Sequence, residues 1–336
     1  MKNFCLVFAI FLSLGLSVNN TSAQTKLYSF DTAIAVTGDG GYDYLFIDQL
    51  SSKLYVSHGT TVNVIDLKMQ KVVGTISNML GVHGIAVVNE LGKGFISDGK
   101  ANAVVVFDMN TYSTITTIPL TGKKPDAIMY DAFSNQIFAF NGGSNNVSVI
   151  DVNTLKEKTT IALDGGPEFA VADGKGKIYN NLEDKNSMKV IDSKELKVIN
   201  TWPLPGCKAP SGLAIDLDNQ RLFTVGADSK TMSVVDAQNG KIIATFPIGG
   251  GVDAVTFDPE TKLIFCSCGE GVTTIFKQES ADKYSLVQTL VTKKRARTMA
   301  LDTKTHNIYL SVADFVAGTR TPVAGSFKVL VYKLKR

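Results

Sequence analysis

The sequence is poor in the residues that most often build metal centres and covalent frameworks. Its 336 residues include three histidines, four cysteines and one tryptophan. Zinc sites are usually built from several His and Cys ligands, and this chain offers only His58 and His83 in suitable places. We therefore do not expect a zinc site. The sequence also contains no recognisable Ser-His-Asp arrangement and no glycine-rich loop followed by a helix, so it does not identify a reaction.

Cysteine is too scarce for a disulfide framework. Once Cys5, in the N-terminal segment, is set aside, Cys207, Cys266 and Cys268 remain, an odd number. Cys266 and Cys268 lie two residues apart on one probable strand, where bridge geometry is poor. We expect buried thiols. A bridge from Cys207 to one of the others, or a reactive thiol, is the alternative.

A strong charge imbalance and a second long apolar run are also lacking. The chain has 34 basic and 31 acidic residues, a formal net charge of +3, and is 44% hydrophobic. This composition is that of an ordinary globular protein. It argues against a general nucleic-acid or membrane-surface binder, which would concentrate basic residues on one face. No later segment is long and apolar enough to predict a membrane span.

The N-terminus reads as a targeting segment. Lys2 precedes the apolar run FCLVFAIFLSLGL (4–16), and Thr21-Ser22-Ala23 supplies small residues for cleavage. Residues 1–23 are therefore predicted to be a cleaved signal peptide, with the mature chain beginning near Gln24. The expected location is the periplasm or the medium.

One short sequence motif, in contrast, is repeated many times along the chain. SNNVSVIDVNTLKEKTTI (144–161) has counterparts in TTVNVIDLKMQKVVGTI (60–76) and in KTMSVVDAQNGKIIATF (230–246). A recurring aromatic residue sets the period, with steps of 40, 43, 41, 44, 42 and 44 residues between Tyr55, Phe95, Phe138, Tyr179, Phe223, Phe265 and Tyr309. Four short β-type runs per unit at this period are typical of a propeller. The predicted fold is all-β, a seven-bladed β-propeller with four-stranded antiparallel blades, formed as one domain by residues 24–336.

The two ends of the mature chain complement one another. The seventh unit stops after its third strand, FKVLVYKLKR, and lacks an outer strand. The segment KLYSFDTAIAVTGDGG (26–41) resembles the outer strand and turn of other units. We predict that this N-terminal strand joins the last blade and closes the ring, which leaves no open edge.

The amino-acid sequence of the repeat units resembles that of a known family. IFAFNGGSNNVSVID (137–151), with looser versions in YVSH (55–58) and FISD (95–98), is similar to the repeat named after a Tyr-Val-Thr-Asn tetrapeptide. That YVTN repeat occurs in periplasmic YncE-like β-propellers and in some archaeal surface-layer proteins. The resemblance covers essentially the whole mature chain. It implies the propeller fold and a binding or surface role, in one member binding of single-stranded DNA, and it carries no shared catalytic motif.

Comparison of the seven repeat units with one another separates residues that have a structural role from residues that are candidates for a binding site. The third strand ends in an aspartate in five units, at Asp66, Asp108, Asp151, Asp192 and Asp236. An acidic side chain just before a turn can accept hydrogen bonds from backbone N–H groups two residues on. We assign these aspartates, and the recurring aromatics, a structural role.

The position before each inner strand behaves differently. Twelve residues before each aromatic, or eleven in the fourth unit, lie Asp43, His83, Asp126, Glu168, Ser211, Asp253 and Arg297. Inner strands line the channel of a propeller, so these seven polar residues are predicted to ring one mouth and to bind a ligand there. Four carboxylates and one guanidinium give the ring a formal charge of −3 when His83 is neutral. Such crowding raises carboxyl pKa values or recruits a cation, and it favours protonated His83.

The loops between second and third strands should open on the same face. They carry mostly polar residues: His58, Asp98, Asn141, Asp184, Asp228, Glu270 and Asp314. The seventh of these loops, DFVAGTRTPVAGSF (314–327), is enlarged and is a candidate lid or recognition loop. A surface elaboration without a role is the alternative.

These features favour an exported binding or interaction module, a monomer, whose acidic mouth takes a cation, a small polar ligand or a protein partner. The first alternative is a metal-assisted lactone hydrolase or lyase. There Asp126, Glu168 and Asp253 would bind Ca²⁺ or Mg²⁺, and His83 and Glu168 are the catalytic candidates. The second alternative, single-stranded nucleic-acid binding, comes from the family resemblance. Apart from Lys123-Lys124, its main basic run is KKRAR (293–297), which also reads as a solvated loop.

Overall fold

The chain folds into seven four-stranded antiparallel sheets. The structure, a computed structural model, describes residues 26–38, 40–319 and 321–335. The predicted signal peptide lies outside these residues. The sheets follow one another along the sequence, and each is built from four adjacent strands apart from the last.

The strands fall into four equivalent sets. The innermost are β2 (Tyr42–Asp48), β6 (Val82–Val88), β10 (Pro125–Asp131), β14 (Pro167–Ala172), β18 (Pro210–Asp216), β22 (Val252–Asp258) and β26 (Met299–Asp302). The second strands are β3 (Lys53–His58), β7 (Lys93–Asp98), β11 (Gln136–Asn141), β15 (Lys177–Leu182), β19 (Arg221–Gly226), β23 (Leu263–Cys268) and β27 (Asn307–Val312). The third strands are β4 (Thr61–Asp66), β8 (Ala103–Asp108), β12 (Asn146–Asp151), β16 (Ser187–Asp192), β20 (Thr231–Asp236), β24 (Val272–Ser280) and β28 (Lys328–Leu334).

The outer strands complete the blades. They are β5 (Lys71–Ile76), β9 (Thr114–Pro119), β13 (Lys156–Ala162), β17 (Lys197–Pro203), β21 (Ile242–Pro247), β25 (Lys283–Val291) and, in the last blade, β1 (Tyr28–Ala35). Two single-turn 3-10 helices, Asn89–Leu91 and Glu183–Lys185, are the helical elements of the described chain. Neither approaches the length and apolarity that a membrane-crossing helix requires.

The N-terminal strand closes the ring, as the sequence predicted. β1 pairs antiparallel with β28, from Tyr28 opposite Leu334 to Ala35 opposite Lys328. Tyr28 is buried edge-on against Phe265, with ring centroids 5.2 Å apart. The side-chain amide of Gln288 bonds both the N–H and the carbonyl of Tyr28, at 2.7 and 2.9 Å. The first and last segments of the described chain therefore share one sheet, and β28 is covered by β1 as the third strands of the other blades are covered by their outer strands.

The core consists of seven hydrophobic clusters, one between each pair of neighbouring blades. Each cluster contains one of the seven recurring aromatics, and all seven are at most 1% exposed. The packing role predicted for these rings is confirmed. Cys207, Cys266 and Cys268 lie in the same clusters as buried free thiols, as expected, and form no disulfide.

The aspartates that end the third strands cap the following turns. Asp66 Oδ1, for example, accepts hydrogen bonds from the N–H groups of Lys68 and Met69, each at 2.9 Å. A second set ends the inner strands and caps turns on the same face, as Asp48 does for Leu50 at 3.0 Å. The comparison of copies found the first set and overlooked the second.

Candidate functional site

The inner strands surround a channel, and their first residues meet at one end of it. A cavity of about 380 Å³ opens there. We call it the acidic mouth, and its polar lining comprises Asp43, Tyr44, Asp126, Glu168, Glu183, Ser211, Asp253, Arg295 and Arg297. Six of the seven ring residues predicted from the sequence line this cavity. The seventh, His83, lies beside it against Asp43 and Asp126.

A β-bulge near the start of most inner strands turns these residues toward the channel. In the first blade Tyr42 pairs with His58 and Leu45 pairs with Val56, so three residue steps on β2 oppose two on β3. Five of the other inner strands show a register shift at the equivalent place. A bulge re-aims the side chains at the extra position and is common at the rims of sites.

Polar side chains on the second strands hold the bulged backbone in place. Ser57 Oγ accepts a hydrogen bond from Asp43 N–H at 3.1 Å, and Asn180 Nδ2 donates to the Glu168 carbonyl at 2.9 Å. Equivalent bonds run from Ser97 to the Asp126 carbonyl, from Asn181 to the Ser211 carbonyl and from Ser267 to the Arg297 carbonyl. The ring residues therefore sit on rigid backbone and not on flexible loops.

His83 bridges two of the carboxylates. Its Nδ1 lies 2.7 Å from Asp43 Oδ2 and 3.6 Å from Asp126 Oδ1. Burial lowers the pKa of His83, but the hydrogen bond to Asp43 and the two negative charges outweigh burial, so the pKa is raised overall. This is the direction that the sequence predicted. Gly99 leaves room for the ring, since a Cβ there would lie 2.8 Å from His83 Nε2.

Glu168 is the most perturbed carboxyl in the mouth. Burial is the largest cause, and the charges of Asp126, Glu183 and Asp253 add to it, which raises the pKa of Glu168 to about 9. Every one of its main neighbours opposes ionisation. At neutral pH Glu168 is therefore protonated and can donate a hydrogen bond.

Two further carboxyls are perturbed less. Burial and the charge of Asp43 raise the pKa of Asp126 to about 6, while His83 and the Tyr44 hydroxyl hold it down. Burial also raises the pKa of Asp253 to about 6, although Arg297 opposes this. Arg297 Nε lies 3.3 Å from Asp253 Oδ2, so the single guanidinium of the ring is committed to one partner.

Two aromatic rings form the floor of the acidic mouth. Tyr44 from the first blade and Phe169 from the fourth meet across the channel, with ring centroids 4.7 Å apart. Both also line a second cavity deeper in the channel. Sequence reasoning overlooked them, although each directly follows a ring residue that it had identified, Asp43 or Glu168.

Glu183 and Arg295 also line the mouth and were missed. Glu183 precedes Asp184, which the sequence analysis had placed in a loop on this face. Arg295 belongs to the KKRAR run, of which the sequence analysis had placed only Arg297 at the mouth. The Arg295 guanidinium lies 3.7 Å above the Phe315 ring, and its Nη2 donates to the Thr319 carbonyl at 3.0 Å. The enlarged seventh loop is thus fastened to a residue of the mouth.

The loop residues predicted on this face are not among those that line the cavity, and two of them, Asp98 and Asp184, instead hold backbone. Asp98 is 2% exposed and accepts hydrogen bonds from the N–H groups of Leu80 and Gly81, each at 2.8 Å. Asp184 accepts one from Gly166 N–H at 2.8 Å. These two aspartates therefore hold the connections that lead from one blade to the next.

The group of side chains whose donor atoms lie close enough to hold a metal ion differs from the predicted group Asp126, Glu168 and Asp253. One ligand atom each from Asp43, His83 and Asp126 lies within 4.8 Å of the other two. Of the predicted ligands Asp126, Glu168 and Asp253, only Asp126 belongs to this group among the described residues. An imidazole with two carboxylates is a donor set closer to transition ions than to Ca²⁺ or Mg²⁺. The identity of any metal stays a prediction.

Comparison with known proteins adds no family to this picture. No protein-family model matches the chain, and no curated protein matches it. The seven-bladed propeller is therefore established by the structure alone, and the resemblance to the YVTN, YncE-like repeat stays a prediction.

Proposed function

We propose that this protein is a binding protein whose acidic mouth takes a small organic cation. The observation that carries the proposal is the surroundings of Glu168. Asp126, Glu183, Asp253 and Asp43 all disfavour its ionisation, and Arg297, the positive group that interacts with Glu168, is paired with Asp253 at 3.3 Å. A ligand that brings a positive charge into the cavity would relieve this repulsion.

The shape and the floor of the cavity support the same class of ligand. A volume of about 380 Å³ is in the range of small-molecule sites. The faces of Tyr44 and Phe169 attract cations, by about 1–2 kcal/mol where water is excluded. Asp126 Oδ1 is buried and accepts no hydrogen bond from the described residues, with His83 Nδ1 at 3.6 Å, so an ammonium N–H group that reaches it would supply the missing hydrogen bond.

Isothermal titration calorimetry tests the proposal, because it measures both the heat of ligand binding and the number of protons released on binding. We expect butane-1,4-diamine to bind at pH 7.5 while butan-1-ol, a neutral control, does not. A bound cation lowers the pKa of Glu168, so binding should release protons, which is measured by repeating the titration in buffers with different ionisation enthalpies. Glu168→Gln should abolish the proton release and keep the fold. Equal binding of the amine and the alcohol, or no binding of the amine, would overturn the proposal.

A metal-assisted hydrolase or lyase is the second candidate, favoured by the grouping of Asp43, His83 and Asp126. A divalent ion held there would polarise a carbonyl group, and protonated Glu168 is placed to donate a proton. Metal analysis of the purified protein and of Asp126→Asn tests this. Stoichiometric metal in the wild type that is lost in the variant is the expected result, and metal-free native protein contradicts it.

We also propose export, supported by residues 1–23 and the cleavage site before Gln24. N-terminal sequencing of the protein from cells that express the full chain should begin near Gln24. Retention of Met1 in the mature protein would contradict export by this route.

A further inference from the structure

A second cavity occupies the other half of the channel. It has a volume of about 840 Å³ and lies beyond the Tyr44–Phe169 pair as seen from the acidic mouth. Its walls are the central residues of the inner strands, and it extends to the turns at Gln49 and Asn89 on the opposite face. We call it the apolar chamber, after the residues that line its walls.

Aliphatic, aromatic and small side chains make up most of the walls, while polar atoms contribute a substantial minority of the lining surface. Phe46, Met129 and Val171 line the chamber and are incompletely buried, so their side chains face its interior. Thr256 places a hydroxyl group among the aliphatic and small side chains of the walls, and Tyr44 and Tyr130 also contribute to the lining. The charged residues of the lining, Asp48 and Glu90, belong to the far turns, and the lining contains no lysine or arginine.

The outer face around this end carries exposed apolar side chains. Leu50, Phe133 and Leu217 occupy turns between the first and second strands of three blades, and they are 74%, 41% and 51% exposed. Single exposed apolar residues are ordinary on a protein surface. Here, however, they recur at equivalent turns on the face where an apolar chamber opens.

We propose that the apolar chamber is a binding site for a compact, neutral, mainly apolar small molecule. Its volume and its mainly apolar lining, with a few polar groups toward the far end, match those of pockets for drug-sized ligands, and burial of apolar ligand surface there would favour binding. A cationic ligand is disfavoured because the walls offer no charge at depth. The site is distinct from the acidic mouth, since Tyr44 and Phe169 stand between the two cavities.

A fluorescent probe tests the site. The neutral dye 6-propionyl-2-(dimethylamino)naphthalene should bind with a stoichiometry of one and a blue-shifted emission. Thr256→Phe should fill the chamber and weaken binding at least tenfold. Thr256→Val is the matched control, because Thr256 Oγ1 makes no hydrogen bond with the described residues and its loss should leave binding unchanged. Glu168→Gln, in the acidic mouth, should also bind the dye normally.

Thiol protection gives a second readout that does not need a bulky substitution. The native thiols at 207, 266 and 268 are buried, so Val171→Cys introduces the one thiol of the described chain that faces the chamber. Methyl methanethiosulfonate should modify it, and saturating dye should slow the modification at least tenfold. Met69→Cys, on an exposed turn, should react at the same rate with and without dye. Absence of dye binding, equal binding to Thr256→Phe, or unprotected modification of Val171→Cys would each overturn the proposal.

Discussion

The acidic mouth and the apolar chamber are two halves of one channel, built from the same seven strands, and their chemistry is opposite. In the mouth, the ring position is the second residue of six inner strands and lies two residues before β26 in the seventh blade. This position holds a carboxylate in four blades and a polar residue in all seven. A few residues further along, the same strands present Ile85, Val171 and Leu213 to the chamber. Tyr44 and Phe169 mark the change between the two halves.

The contrast between the two cavities shows that the position of a residue along an inner strand decides whether its side chain is polar or apolar. Mid-strand residues also pack into the clusters between blades, as Leu45 and Ile85 do, so burial favours apolar side chains there. Residues at the bulged start are turned away from those clusters and are free to be polar. Nothing in the packing requires all seven of these residues to be polar. Burial, together with the crowding of carboxylates, raises the pKa of Glu168, which has a cost in stability at neutral pH. Such a cost points to function in the mouth.

Removing the boundary should have the largest effect. Phe169→Ala deletes one of the two rings between the halves, and we expect a loss of about 3 kcal/mol in the free energy of unfolding, typical of large-to-small changes at packed aromatic sites. Butane-1,4-diamine should also bind the variant more weakly, because water then reaches the carboxylates from below. Phe169→Tyr, which keeps the ring, is the control. A Phe169→Ala protein as stable as the wild type would show that the rings do not separate the two halves.

The pH dependence of stability should be a property of the mouth. The folded pKa of Glu168, about 9, lies above the usual value of 4.5 in the unfolded chain. Its contribution to stability is therefore complete below pH 4.5 and is lost as the pH rises toward 9. Denaturant unfolding at pH 5 and pH 9 should show this decline.

Glu168→Gln, which cannot ionise, is the matched variant. We expect it to be about 2 kcal/mol more stable than the wild type at pH 9, after allowance for partial exposure of the site. The difference should shrink at pH 5. A variant with the same decline as the wild type would place the titration elsewhere.

A smaller effect concerns His83. Its pKa is raised by the hydrogen bond to Asp43 and by the charges of Asp43 and Asp126, against a lowering by burial. Asp43→Asn removes one charge and keeps burial, so the pKa of His83 should fall, as followed by NMR titration of the imidazole protons. The resonances of His306, on the opposite face beside Asp258, serve as the internal control. An unchanged pKa of His83 would show that Asp43 does not hold its proton.

Much of the architecture was predictable because short sequence signals specify it, and these signals recur in most of the repeat units. The seven aromatics, the turn-capping aspartates and the alternating strands each recur in most units, so one blade predicts the next. Strand β1 could be assigned to the last blade because the seventh unit lacked one strand. The ring residues could be found by counting back from each aromatic, since their role depends on position within the repeat.

The sequence by itself therefore determined the number of blades, the closure of the ring and which side chains stand at the strand beginnings, because periodicity and register are properties of the chain. Only the tertiary structure decided which of those side chains touch. It pairs His83 with Asp43 and Arg297 with Asp253, and it surrounds Glu168 mainly with other carboxylates. It also brings Glu183 and Arg295 into the mouth and places Tyr44 against Phe169. Those outcomes depend on the radius of the ring, the direction of each bulged strand and the depth of burial, and none of these quantities is carried by a single repeat.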